Sequence, residues 1–251
     1  MYERSDVPKV GPNSNKIAAA ALVVIAVALV VLVTNLWRLA NEHSKLGDAD
    51  LASAVAAATV SSDAVNARAQ ASGVVATGNQ LEVVAFVVTP DGDDATLSAL
   101  YLAALNDTAG TAALVGVPVA ARIGDATTSL EAGFASKGAA SLVSQLAAAA
   151  VPVNHVVVMT ETGWDEFLSV AQKGASALKS GADRLVEGIT RSDMDVQTLV
   201  AVGQRAATAG VSAESLTSVA AQDLTAEDGT VYQWVDPAQL GLSVGTLAAA
   251  Q

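Results

Sequence analysis

Apolar runs of strand length alternate with helical stretches behind a long N-terminal apolar segment. This pattern predicts an α/β fold: a three-layer α/β/α sandwich ectodomain preceded by a single transmembrane helix. Three observations carry the prediction. Ile17 to Val33 is unbroken apolar sequence, and no charge lies between Lys16 and Arg38. Leu81 to Thr89, Ala112 to Val119 and Val153 to Met159 are apolar runs rich in β-branched residues, set off by turn formers. Between and after them lie segments with helical spacing, among them the one in which Trp164, Phe167, Leu168 and Ala171 share one face.

The first element is the span, residues 17–37. At about 1.5 Å per residue, roughly 20 residues make a helix of about 30 Å, the thickness of a bilayer's hydrocarbon core. Trp37 and Arg38 follow at once, an aromatic anchor and a cation suited to the headgroup layer. A cleaved signal peptide would have an apolar region of about 7–15 residues followed closely by a small-residue cleavage site. Here bulky Leu36-Trp37-Arg38 follows instead, and Ala52-Ser53-Ala54 is too far downstream. The reading is an uncleaved anchor in the cell membrane, with the lipid bilayer as partner. Arg4, Lys9 and Lys16 precede the span, whereas Arg38 and Lys45 follow it. The positive-inside tendency then places the N-terminus in the cytoplasm and the bulk of the chain outside.

Charge is unevenly spread over the 251 residues. Residues 1–45 carry five basic and three acidic side chains, a net +2, while residues 46–251 carry eight and 22, a net −14. So acidic an ectodomain repels nucleic acid and anionic lipid, so no nucleic-acid partner is expected. With no cysteine there are no disulfides, thiolate metal sites or cysteine catalysis. With two histidines, His43 and His155, a metal site would rest mainly on carboxylates.

Residues 1–16, with Pro8, Gly11 and Pro12, read as a polar cytoplasmic tail. Residues 38–78 are Ala-rich with scattered charges and read as a stalk of one or two helices broken near Gly47, with His43 a solvated member. Residues 79–251 form the domain. Leu81 to Thr89 and Leu97 to Leu105 flank the turn signal Pro90-Asp91-Gly92-Asp93 and predict a hairpin, although the alanines of the second run also suit a helix. Asp91, Asp93 and Asp94 are spaced like the start of a calcium loop, but its later ligands are missing, so they read as a solvated turn. Ala112 to Val119 is a strand ended by Pro118. Ser136 to Ala150 reads as a helix after a glycine turn, and Val153 to Met159 as a strand. Thr162 is placed to cap the helix that follows. Asp195 to Ala209 and Ser212 to Gln222 read as helices, and Val231 to Val235 as a late strand.

No phosphate loop ending in Gly-Lys-Ser/Thr, no HExxH and no GxSxG is present. His155 lies in an apolar strand and reads as a core or sheet-edge residue before a general base.

The order of segments from about Asn79 to Ala209, behind an anchor, resembles the LytR-CpsA-Psr family of cell-envelope proteins. Leu81 to Pro90 is similar to the family's first core strand. Gly116-Val117-Pro118-Val119-Ala120 resembles its Ser-Ile-Pro-Arg-Asp strand end, and Phe134 to Gly138 its aromatic-then-glycine helix start. Val151-Pro152-Val153-Asn154-His155-Val156 followed by Gly163-Trp164-Asp165-Glu166-Phe167 resembles its Ile-Pro-x-x-His-Tyr segment and the helix after it. Asp193-Met194-Asp195, before a helix with Gln204 and Arg205, resembles its Asp-x-Asp motif.

The resemblance implies a single-span, N-in protein. Its extracytoplasmic α/β/α domain would move glycopolymers from a polyprenyl-pyrophosphate carrier to peptidoglycan. The cations that pair with pyrophosphate in the family fall here on Asn79-Gln80-Leu81, Val119, Ser129, Thr198 and Ala201. A doubly charged anion needs such donors. The expectation is therefore a catalytically degenerate member, not a working enzyme, acting as an accessory or binding module with a cell-wall polymer, a polyprenyl lipid or other envelope proteins. It needs no cofactor. Two alternatives stand beside it. One is an active phosphotransferase with a rearranged site, in which Arg191, Asp193 and Asp195 are the catalytic candidates and Mg2+ assists. The other is an unrelated structural ectodomain. Arg122, Lys137 and Arg205 are the candidate ligand-binding cations.

Overall fold

The computed structural model describes residues 45–173, 177, 182–211, 215–227 and 229–250. The span read at 17–37 and His43 lie outside them. Among the described residues no helix is long and apolar enough to cross a membrane.

Among the described residues the first element is helix α1 (Ala49–Ala57), capped by Asp48, whose carboxylate accepts from the N–H groups of Asp50 and Leu51. Helix α2 (Ser62–Ser72) ends at Gly73, where the left-handed conformation suits a residue without Cβ. Strand β1 (Val74–Ala76) leads into β2 (Leu81–Thr89), the β-branched run at the centre of the sheet. The chain turns at Pro90-Asp91-Gly92-Asp93, where Asp93 N–H donates to Pro90 O at 3.1 Å. It returns as β3 (Ala99–Asn106), antiparallel to β2 from Leu81↔Asn106 to Val88↔Ala99. Strand β4 (Thr111–Val117) continues the meander and stops at Pro118, which has no N–H to offer the ladder. After β5 (Ala121–Ile123) come α3 (Leu130–Lys137) and α4 (Ala139–Ala148). Strand β6 (His155–Thr160) lies parallel to β2 on its free side. Helix α5 (Glu161–Ala171), α6 (Ala182–Gly188), β7 (Ile189–Ser192) and α7 (Val196–Thr208) follow. The chain closes with β8 (Leu216–Ser218), β9 (Gln222–Thr225), β10 (Val231–Val235), α8 (Pro237–Val244) and β11 (Leu247–Ala249). The central sheet is mixed, in the order β7-β6-β2-β3-β4-β8. Strands β5-β10-β9 form a second sheet, and β1 pairs with β11.

Side chains alternate across β2, so its two faces seed two cores. Val83, Ala85 and Val87 pack with Leu130, Phe134, Leu142 and Leu146 of α3 and α4, and with Leu51 of α1. Val84, Phe86 and Val88 pack with Trp164 and Phe167 of α5 and with Val202 and Ala206 of α7. Helices thus cover both faces. Trp164 stacks on Tyr101 with ring centroids 4.3 Å apart and planes 8° from parallel.

The expected strands at 81–89, 97–105, 112–119, 153–159 and 231–235 are all present. Four details differ. The stretch 136–150 is not one helix: Gly138, at φ 64°, separates α3 from α4. Thr160, not Thr162, caps α5, accepting from Gly163 N–H at 3.1 Å; Thr162 lies inside the first turn and its hydroxyl donates to Asp91. Of the helix expected at 212–222, Leu216–Ser218 is instead a strand, because the open edge of β4 offers it a ladder that its own polar sequence does not favour over helix. Finally, the stretch read as a stalk packs onto the domain from residue 46. Leu46, Leu51 and Ala69 are buried. Leu46 bridges to Ser192, Gly47 N–H donates to Met194 O at 3.0 Å, and Asp48 N–H donates to Ser192 O at 2.8 Å.

Candidate functional site

Strand direction assembles the site. β2 and β6 start, and β3 and β7 end, at the same end of the sheet. Asp193 follows β7 directly, where its carboxylate reaches back to β6. It accepts from Val156 N–H at 2.6 Å and from His155 Nδ1–H at 2.8 Å. The far nitrogen of His155 stands 3.7 Å from Glu82, the single charge in the apolar run of β2. Glu82 is paired with Arg205, which projects from the last turn of α7. Arg205 also reaches Asp107, just past β3, at 3.5 Å. The result is one chain of alternating charge: Asp193, His155, Glu82, Arg205, Asp107.

The hydrogen bond that His155 donates to Asp193 raises the His155 pKa above the ordinary imidazole value. Burial opposes this, and the charges of Asp193 and Glu82 outweigh the repulsion from Arg205. Asp193 fixes which imidazole nitrogen carries the proton, as an orienting carboxylate does for a general base. The other nitrogen, however, faces Glu82 and not an open position.

Each residue singled out in the sequence now has a place. Asp193 and Arg205 meet in this chain. Asp195 caps α7, accepting from Thr198 N–H at 2.7 Å, and that hydrogen bond, with the Thr198 hydroxyl's, lowers its pKa. Arg191 grips Asp48 through two nitrogens, at 2.7 and 2.8 Å, so it holds the start of α1. Arg122 lies over the Tyr232 ring, 4.3 Å from its centroid, in the second sheet. Lys137 ends α3 on the opposite face of the sheet.

Asn79 to Leu81 stand at the site end of β2, and Ala201 lines the hollow beside Arg205. Val119 does not belong here. β4 runs parallel to β2, and Val117 pairs with Leu100, so Val119 follows a strand that ends at the far edge. The strand that arrives at the site is β3, which ends at Asn106 with Asp107 just beyond it, and it brings an amide and a carboxylate, not an arginine. Ser129 caps α3. Glu82 and Asp107 escaped the sequence reading. The one available signal for Glu82 was its isolation in an apolar strand.

Two hollows adjoin the chain. An open one of about 540 Å³ lies between the β3–β4 turn and α7, lined by Asn106, Asp107, Thr111, Ala201, Gln204 and Arg205. An apolar cavity of about 50 Å³ sits between the sheet and α5–α7, walled by Phe86, Leu105, Met159, Phe167, Met194 and Val202. Among the described residues no group of three His, Cys, Asp or Glu side chains is placed to hold a metal ion.

No family profile matches the sequence, and no curated protein is detectably similar to it. Solved structures are similar in fold. TagV of B. subtilis matches at TM-score 0.50 with 13% identity, over 68% of this chain and 96% of that one. The Bacillus subtilis protein yvhJ, described as a transcriptional regulator, matches at 0.49 with 14% identity, over 68% and 96%. TagT bound to LI-WTA matches at 0.46 with 14% identity, over 66% and 89%. Identities this low speak for fold alone. Its likeness to TagV shows that the domain described here has the mixed α/β fold of the LytR-CpsA-Psr proteins.

Proposed function

We propose that this chain is a single-span membrane protein, N-terminus in the cytoplasm, anchored in the lipid bilayer through residues 17–37. Its extracytoplasmic α/β/α domain serves wall-glycopolymer assembly as an accessory or binding module rather than as a transferase. One observation carries the reading: the cations near the site are already spent. Arg205 is held by Glu82 and Asp107, and Arg191 by Asp48. A pyrophosphate entering the hollow would meet the Asp107 carboxylate in its wall and would have to compete with Asp107 and Glu82 for Arg205. Losing several charge-assisted hydrogen bonds, each worth about 1.5–3 kcal/mol, removes most of the grip on such an anion.

The test uses the full chain in detergent with a polyprenyl-pyrophosphate-linked glycan and Mg2+. The reading expects no transfer, together with retained binding of a wall polymer. Transfer that disappears in Arg205→Ala overturns it. That outcome would favour the working transferase, for which the oriented His155–Asp193 pair is the supporting observation. Protease added to intact spheroplasts tests the topology. Digestion beyond about residue 40 is expected, and full protection of the domain overturns the orientation.

A further inference from the structure

The groove between α3 and α4 is separate from the site above. It exists because Gly138 breaks the helix and because Ala132, Gly133 and Ala140 present little bulk where the two short helices meet. It measures about 420 Å³, and its polar lining is Thr127, Thr128, Ser136, Lys137, Ser144 and Gln145, with Ser141 beneath. No acidic residue lines it. The acids nearest in sequence, Asp125 and Glu131, are not among its walls. That is unusual in a domain with 22 acidic side chains beyond residue 45.

Its hydroxyl and amide groups can both donate and accept. The Ser141 hydroxyl donates to Gly138 O and the Ser144 hydroxyl to Ala140 O, both at 2.9 Å, which leaves their lone pairs available. The Gln145 amide packs on bare Gly133: a Cβ there would stand 2.4 Å from Gln145 Nε2 and 3.2 Å from Ser141 Oγ. Gln145 Oε1 is buried without a hydrogen-bond partner among the described residues. That atom is sealed from solvent, so it reflects how tightly the amide is packed and is not itself a contact for a bound molecule. Lys137 is the one full charge in the walls, and no described carboxylate is paired with it.

Several hydroxyls, one cation and no acid in the walls complement a ligand rich in hydroxyl groups that carries a single acidic group. We propose that the α3–α4 groove binds a sugar acid, a glycan unit bearing one carboxylate or phosphate. The ligand's hydroxyls would meet the Ser and Thr hydroxyls, and the acid would meet Lys137. The proposal does not depend on whether the domain transfers glycopolymer.

The experiment is saturation-transfer NMR on the full chain in detergent micelles, with glucuronic acid, glucose 1-phosphate, glucose and inorganic phosphate as probes. Transfer is expected to one or both charged sugars, and their relative strength identifies the acid. Glucose should bind more weakly. Lys137→Ala, at an exposed position that leaves the core untouched, should weaken the charged sugars about tenfold or more. Gly133→Ala, which drives the Gln145 amide into the groove, should weaken all sugars. Absence of transfer from every sugar overturns the proposal. So does glucose binding as well as glucuronic acid with Lys137→Ala silent, or inorganic phosphate displacing the sugars completely.

Discussion

His155 Nδ1 lies 2.8 Å from Asp193 Oδ2, a contact between residues 38 apart that ties the start of β6 to the end of β7. Because this bond favours the charged imidazole, the folded His155 pKa lies above its unfolded value. A raised histidine contributes stability that is fully present below the unfolded pKa and is lost as pH rises through the folded one. The difference in denaturant midpoint between the wild type and His155→Gln should therefore be larger at pH 5.5 than at pH 8.5. A difference that is flat with pH, or larger at pH 8.5, contradicts this account.

Arg205 and Glu82 form a second tie, between α7 and β2. Arg205→Ala leaves Glu82 half-buried without its cation and should cost about 1–2 kcal/mol in urea unfolding. Adding Glu82→Gln should return part of that loss. Additive single and double mutants would show that the pair is uncoupled.

Trp164 is 5% exposed, stacked on Tyr101 and in contact with Phe86. Trp164→Ala should cost about 3–5 kcal/mol, measured by the same unfolding curves. A loss below about 1 kcal/mol would mean that the aromatic cluster is not packed as described.

Gly163 of α5 and Gly188 of α6 meet backbone to backbone. A Cβ on Gly163 would lie 2.8 Å from Gly188 atoms, and one on Gly188 would lie 2.5 Å from Gly163 Cα. Neither neighbour is a flexible side-chain tip, so Gly163→Ala should force the helices apart, at about 1–3 kcal/mol. Gly116, whose Cβ would meet its neighbours at 3.6 Å, is the control. Gly116→Ala should change the melting temperature little.

The sheet was legible because its strands are written locally. Leu81 to Thr89 is β-branched and stopped by Pro90, and Ala112 to Val117 is stopped by Pro118. Strand direction was not legible. Pro118 drew the family's strand-end motif to Gly116–Ala120, yet only the pairing of Val117 with Leu100 reveals that this end points away from Asp193. The site was hidden for the same reason. Glu82 and Asp107 become neighbours through the hairpin register that sets Leu81 against Asn106, and Arg205 arrives from 123 residues beyond Glu82. β8 was misread as helix because Leu216-Thr217-Ser218 takes its conformation from the edge it meets, and no local preference marks it.

The stitching of residues 46–48 to the end of β7 has a mechanical consequence. Tension that reaches residue 45 enters the domain at these contacts. It loads the Gly47–Met194 and Asp48–Ser192 backbone bonds and the Arg191–Asp48 clamp together, so they share the force and must rupture before α1 can peel away. The load arrives beside Asp193, at the head of the charged chain. Pulling from the N-terminal side is thereby coupled to the strand that positions Asp193. Optical-trap stretching of Arg191→Ala from its N-terminal side should show the first extension step at lower force than in the wild type, and an unchanged step would sever the coupling.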